Sequence, residues 1–112
     1  MDRKIYVSGN GLMLGEYLPA DAMADWLDWQ DEKTQRGYNT QMNMPFSRFE
    51  QRPLRHRLYA VILRENVPEI PLGIIMISPP PGDADLAIRV FSSYRGQGIG
   101  TAAFSLAAHY AL

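Results

Sequence analysis

The stretch Val90-Phe-Ser-Ser-Tyr-Arg95-Gly-Gln-Gly-Ile-Gly100-Thr101 reads as a strand end, a glycine-rich loop carrying one arginine, and the first turn of a helix. Gly96, Gly98 and Gly100 let backbone N–H groups converge with no Cβ in the way. Those donors sit at the positive end of the following helix, so the loop is an anion cradle. A phosphate-bearing ligand is its expected occupant.

Several loop types share part of this pattern. A P-loop needs Gly-x4-Gly-Lys-Ser/Thr, and no lysine follows these glycines. Gly98-Ile-Gly100-Thr-Ala-Ala103 satisfies the loose dinucleotide fingerprint, which also wants an acid about 20 residues on, within a full βαβ unit. Neither follows before Leu112, so a dinucleotide-binding module is the lesser alternative. The third pattern, Arg/Gln-x-x-Gly-x-Gly/Ala after a strand, is met at every fixed position by Arg95-Gly-Gln-Gly98-Ile-Gly100. It resembles the acyl-CoA pyrophosphate loop of the GNAT superfamily of N-acetyltransferases.

The resemblance covers the whole chain and lies nearest the branch of ribosomal-protein N-terminal acetyltransferases. Leu12-Met-Leu-Gly-Glu-Tyr-Leu-Pro-Ala-Asp21 resembles that branch's opening strand and turn into helix 1, and Trp29–Tyr38 its second helical segment. It implies a mixed α/β GNAT fold with a largely antiparallel sheet. Residues 1–112 would form one incomplete domain, truncated after the helix that follows the fourth main strand.

Periodicity supports that order. Lys4–Val7 and Leu12–Tyr17 read as strands about the turn Ser8-Gly-Asn-Gly11. From Ala20, the spacing of Ala22, Met23, Trp26 and Leu27 predicts an amphipathic helix, with Asp21 and Asp25 where acids suit its dipole. A second short helix is expected over Asp31–Arg36, and one helical turn at Ser47–Gln51. Arg57–Arg64 and Ile70–Ile77 form a hairpin, three prolines at 79–81 break the chain, and Asp85–Phe91 is the fourth main strand. In the last helix the polar residues Thr101, Ser105 and His109 form one stripe in an otherwise apolar segment, which expects cover on more than one side. It closes without a glycine cap or cations, so the chain is expected to be cut there.

Composition sets outer bounds. A net charge of −1 with no basic run leaves no electrostatic footprint for nucleic acid. No apolar run approaches the roughly 18 residues of a membrane span, and the expected location is cytoplasmic. Without cysteine there is no thiolate nucleophile, and His56 and His109 stand apart, so no metal site is expected. Trp26 and Trp29 read as core anchors, Met42 and Met44 as gap-fillers, and Arg52, Arg55, Arg57 and Arg64 as a solvated charge group.

On the resemblance, pantetheine pairs with backbone groups of Ile88, Arg89 and Val90 where two strands splay. The pyrophosphate rests on Arg95, Gly96, Gln97, Gly98, Ile99, Gly100 and Thr101. The co-substrate is acetyl-CoA, and the acceptor is a primary amine on a small molecule or a protein N-terminus. Asp85 is a weak candidate for the general base, against a reading as a solvent-exposed acid beside the proline turn. The general acid of relatives lies beyond Leu112, which implies an inactive N-terminal fragment. The alternative is a non-catalytic chain that homodimerises through an exposed strand edge or the last helix.

Overall fold

In the computed structural model, residues 3–31 and 44–111 are described. Five strands form one sheet in the order β1-β2-β3-β4-β5: β1 Ile5–Gly9, β2 Leu12–Glu16, β3 Leu58–Arg64, β4 Gly73–Ile77 and β5 Leu86–Val90. The sheet is expected to be largely antiparallel, and all four ladders among the described residues are antiparallel. Every connection, including the helical one from β2 to β3, returns the chain beside the strand it left. The α-helices among the described residues are α1 Ala22–Trp29, the single turn α2 Phe46–Phe49, and α3 Ile99–Ala111. The expected helix over Asp31–Arg36 lies almost wholly outside the described residues, as does Met42.

Alternation along the strands divides the apolar residues between two faces. Leu12, Leu14, Leu58, Ala60, Ile62, Ile75 and Ile77 meet Ile99, Ala103 and Ala107 of α3. Val61, Leu63 and Ile74 point the other way, beside Phe91 and Ala24 of α1. The β1–β2 hairpin turns at Asn10-Gly11, both at positive φ, the strongest short hairpin signal in the chain. β4 is shorter than Ile70–Ile77: Pro71 cannot donate to a ladder, and pairing resumes with the Leu72 N–H donating to the Ile62 carbonyl at 2.8 Å.

The amphipathic reading of α1 is corrected. Met23 and Leu27 are 44% and 55% exposed, whereas Asp25 and Asp28 are buried against the sheet. Asp21 does not act on the helix dipole alone. Its buried carboxylate accepts from the Leu18 N–H at 2.7 Å and from Arg3 Nη1 at 2.7 Å, pinning the turn before α1. None of the helices among the described residues is long and apolar enough to cross a membrane.

β4 and β5 approach so closely at Gly73 that a Cβ there would stand 2.5 Å from the Arg89 carbonyl oxygen and 2.9 Å from Val90 Cα. Backbone cannot yield as a flexible side chain would. Gly73→Ala is therefore expected to lower stability by about 1–3 kcal/mol, the usual range for overpacking. Urea unfolding of the two proteins measures it.

Candidate functional site

β5 carries different chemistry on its two faces and its open edge. Ile88 and Val90 pack toward α3, while Arg89 points to the α1 side. The bonds from the Phe91 N–H to the Leu72 carbonyl and from the Ser78 N–H to the Asp85 carbonyl fix which pairs are hydrogen-bonded. By that alternation Arg89 turns its backbone groups to Ile74 of β4, and Ile88 and Val90 turn theirs outward. Of the three strand residues expected to meet pantetheine, only these two turn their backbone to the edge away from β4. Among the described residues β5 has one ladder neighbour, β4.

After β5 a single 3-10 turn, Ser92–Tyr94, leads into the glycine loop. Arg95 Nε donates to the Val90 carbonyl at 3.1 Å, folding the arginine back over the strand end. Gly96 and Gly98 adopt φ of +81° and +77°, and a Cβ at either would meet nothing within 4 Å. The glycines are thus required by backbone conformation, and the space above them is open to a ligand. The first N–H with a partner in this helix is that of Ala102, donating to the Gly98 carbonyl at 3.2 Å. The amides before it belong to the turn whose N–H groups have no intrahelical acceptor. Between this turn and β5 lies a cleft of about 550 Å³, lined by Ile88, Val90, Arg95, Gly100, Thr101, Phe104 and Ser105. Ile99 is buried beneath the loop and offers it only backbone.

The opposite face of β5 holds an ionic cluster. Arg89, fully buried, donates through Nη1 to Asp28 Oδ2 at 2.7 Å and through Nη2 to Asp25 Oδ1. Its guanidinium lies 4.2 Å from the centre of the Trp29 ring. Asp25 Oδ2 accepts from the Tyr17 and Tyr59 hydroxyls at 2.9 and 2.8 Å, with Arg52 Nη2 at 3.5 Å. Asp28 Oδ1 accepts the Ser92 N–H at 2.9 Å. Burial alone would weaken the Arg89 charge, but the two carboxylates outweigh it and hold its pKa above that of an ordinary arginine. Burial raises the Tyr17 and Tyr59 phenols, and the Asp25 carboxylate raises them further.

Residues 21–112 match the acetyltransferase (GNAT) family. The chain belongs to that family. No curated protein and no solved structure matches it. The GNAT match spans α1 to α3 and so includes the glycine loop and the charged residues of the ionic cluster, Tyr17 lying before it. The five-stranded antiparallel sheet with its helices is compatible with a GNAT fold.

Within this GNAT frame Arg95, Gly100 and Thr101 of the loop line one cleft with Ile88 and Val90, whereas Gly96, Gln97, Gly98, Ile99 and Asp85 are not among its lining residues. Asp85 is exposed at the far end of β5, with its N–H donating to Ser78 Oγ at 3.0 Å. The arginines are not a uniform solvated group. Arg52 stacks 3.6 Å above the Phe49 ring, Arg57 donates to the Ser78 and Gly82 carbonyls, and Arg64 to Gln97. Among the described residues no group of three or more His, Cys, Asp or Glu side chains is arranged to hold a metal ion. The ionic cluster escapes a pattern reading, although two signals announce it. Asp25 and Asp28 share a helix face three residues apart, and Arg89 interrupts an apolar strand.

Arg89→Met would leave two buried carboxylates without their shared cation. Loss of one partner of a buried ion pair costs about 3–5 kcal/mol, and denaturant titration should show a loss of that size. The phenols give a separate expectation. Their folded-state pKa lies above the ordinary 10.0, so the unfolded chain ionises first as pH climbs. Their contribution is complete below pH 10 and lost above it. Stability measured from neutral to alkaline pH should fall beyond 10, less steeply in Tyr59→Phe, and an ultraviolet titration should find two tyrosines silent until the chain unfolds.

Proposed function

We propose that this chain binds acetyl-CoA in the cleft between β5 and α3 and serves transfer of the acetyl group to a primary amine, on a small molecule or a protein N-terminus. The observation that carries the reading is the loop itself. Gly96 and Gly98 hold positive φ beneath open space, at the amino end of α3 and beside the outward backbone of Ile88 and Val90. The amides around Gln97–Thr101 would receive the pyrophosphate, with Arg95 adding charge. Bound acetyl-CoA supplies a thioester carbonyl open to attack by an amine. Along the β5 edge, the outward N–H of Val90 would take pantetheine as a sheet takes an added strand and would polarise that carbonyl. Asp85, outside the cleft, would reach the amine's proton only through a water chain.

A second reading has its own support. The edge of β5, which has no strand neighbour beyond β4 among the described residues, and Phe104, 52% exposed on the cleft side of α3, form a surface on which another copy of the chain would pair without catalysis.

Calorimetric titration with acetyl-CoA, with NADH as the control ligand, separates these. Saturable binding of acetyl-CoA, weakened about tenfold or more in Arg95→Ala, is the expected result. No heat from either ligand, with a sedimentation coefficient that rises with concentration, would replace the transferase reading by self-association. Heat from NADH alone would make the cleft a dinucleotide site.

A further inference from the structure

A second recess adjoins the glycine loop on the side of the β3–β4 hairpin. It has a volume of about 270 Å³, and Arg64, Ile70, Leu72, Ser93, Tyr94 and Gln97 line it. Arg64, the last residue of β3, reaches the loop through Nη2, which donates to Gln97 Oε1 at 2.8 Å. No carboxylate pairs with it among the described residues, although Asp21, Asp25 and Asp28 each hold an arginine. One guanidinium N–H is engaged by a neutral amide, and the planar fork keeps further donors for an anion. Gln97 lies between the two glycines of the cradle, so this cation stands one side-chain length from the loop backbone.

We infer that Arg64, with the Ser93 hydroxyl beside it in the recess, is a subsite for a phosphomonoester carried by the same ligand whose pyrophosphate rests on the glycine loop. The inference rests on the acetyl-CoA reading and deepens it. Coenzyme A carries a phosphomonoester on its ribose next to the pyrophosphate, and the dephospho form lacks only that group. A guanidinium suits the task because it binds phosphate oxygens through two parallel N–H groups. Leu72 is the buried apolar residue of the recess, and the Arg64–Gln97 contact faces solvent, where an anion can reach it. Arg64 thereby becomes a specificity residue, distinguishing the phosphorylated coenzyme from its dephospho relative.

Calorimetry with acetyl-CoA and with acetyl-dephospho-CoA tests this on the full chain and on two variants. The wild-type protein should prefer the phosphorylated form by about tenfold, the scale of one charge-assisted contact. Arg64→Gln should abolish the preference by weakening acetyl-CoA alone. Gln97→Ala, which removes the tie to the loop but leaves the cation, should keep the preference even if both affinities fall. Equal affinities in the wild-type protein would overturn the subsite and leave the acetyl-CoA reading standing. So would an Arg64→Gln variant that weakens both ligands in proportion, since Arg64 would then only brace the loop. Failure of the wild-type protein to bind either form would overturn both.

Discussion

The buried contact of Arg89 with Asp25 and Asp28 is the constraint on which the rest of the molecule turns. Removing a guanidinium and two carboxylates from water costs several kcal/mol per ion, and only dense hydrogen bonding offsets it. That bonding is supplied from four places: Tyr17 after β2, Tyr59 in β3, Arg52 after α2, and the Ser92 amide at the end of β5. Among the described residues two carboxylates of the cluster face two guanidiniums. Such a centre tolerates little displacement of its parts, since an apolar contact survives a small slide and a bidentate ion pair does not. α1 is therefore seated on β5 in one place.

The cleft follows from that seating. Side chains alternate along a strand, so a register that buries Arg89 against α1 commits Ile88 and Val90 to the α3 side and their backbone groups to the edge away from β4. A slip by one residue would bury an aliphatic side chain among acids and turn the arginine into the apolar face beneath α3. Asp28 carries the constraint one step further. With one oxygen on Arg89 and the other on the Ser92 amide, it fixes where β5 ends and the loop begins. The anion cradle thus inherits its position from charges on the other face of the sheet.

The parts legible in the sequence are those ruled by local backbone chemistry. Asn10-Gly11 makes its turn, Pro79–Pro81 ends β4, and Arg95 to Gly100 folds as a strand-to-helix loop because glycine alone takes φ near +80° without strain. What escaped was set by partners distant in sequence. The spacing of Met23, Trp26 and Leu27 is a sound helical signal, but it assigns the apolar face to the core. Asp25 and Asp28 take that face instead, 64 and 61 residues from the arginine that holds them. Nothing local says that an acid will be buried; only its partner does. Arg52 departs from the solvated reading for the same reason, since it reaches Asp25 of α1, whereas Arg57 and Arg64 make their hydrogen bonds at the exposed surface.

The character of the cleft depends as well on small residues in α3. The helix crosses the sheet from β5, where Gly100 faces Val90, to β1, where Tyr110 and Tyr6 rings lie 5.8 Å apart. Its buried stripe is Ile99, Ala103 and Ala107, in one cluster with Leu14 and Ile62, where larger side chains at the alanine positions would hold the helix off. A helix set this low presents its first turn close to the plane of the strands. Its unpaired amides then lie near the level at which the β5 edge offers its own outward groups. The apolar core and the polar cradle are accordingly two consequences of one packing distance. Bulk added at Ala103 would lift the amides from the strand edge as surely as it would strain the core.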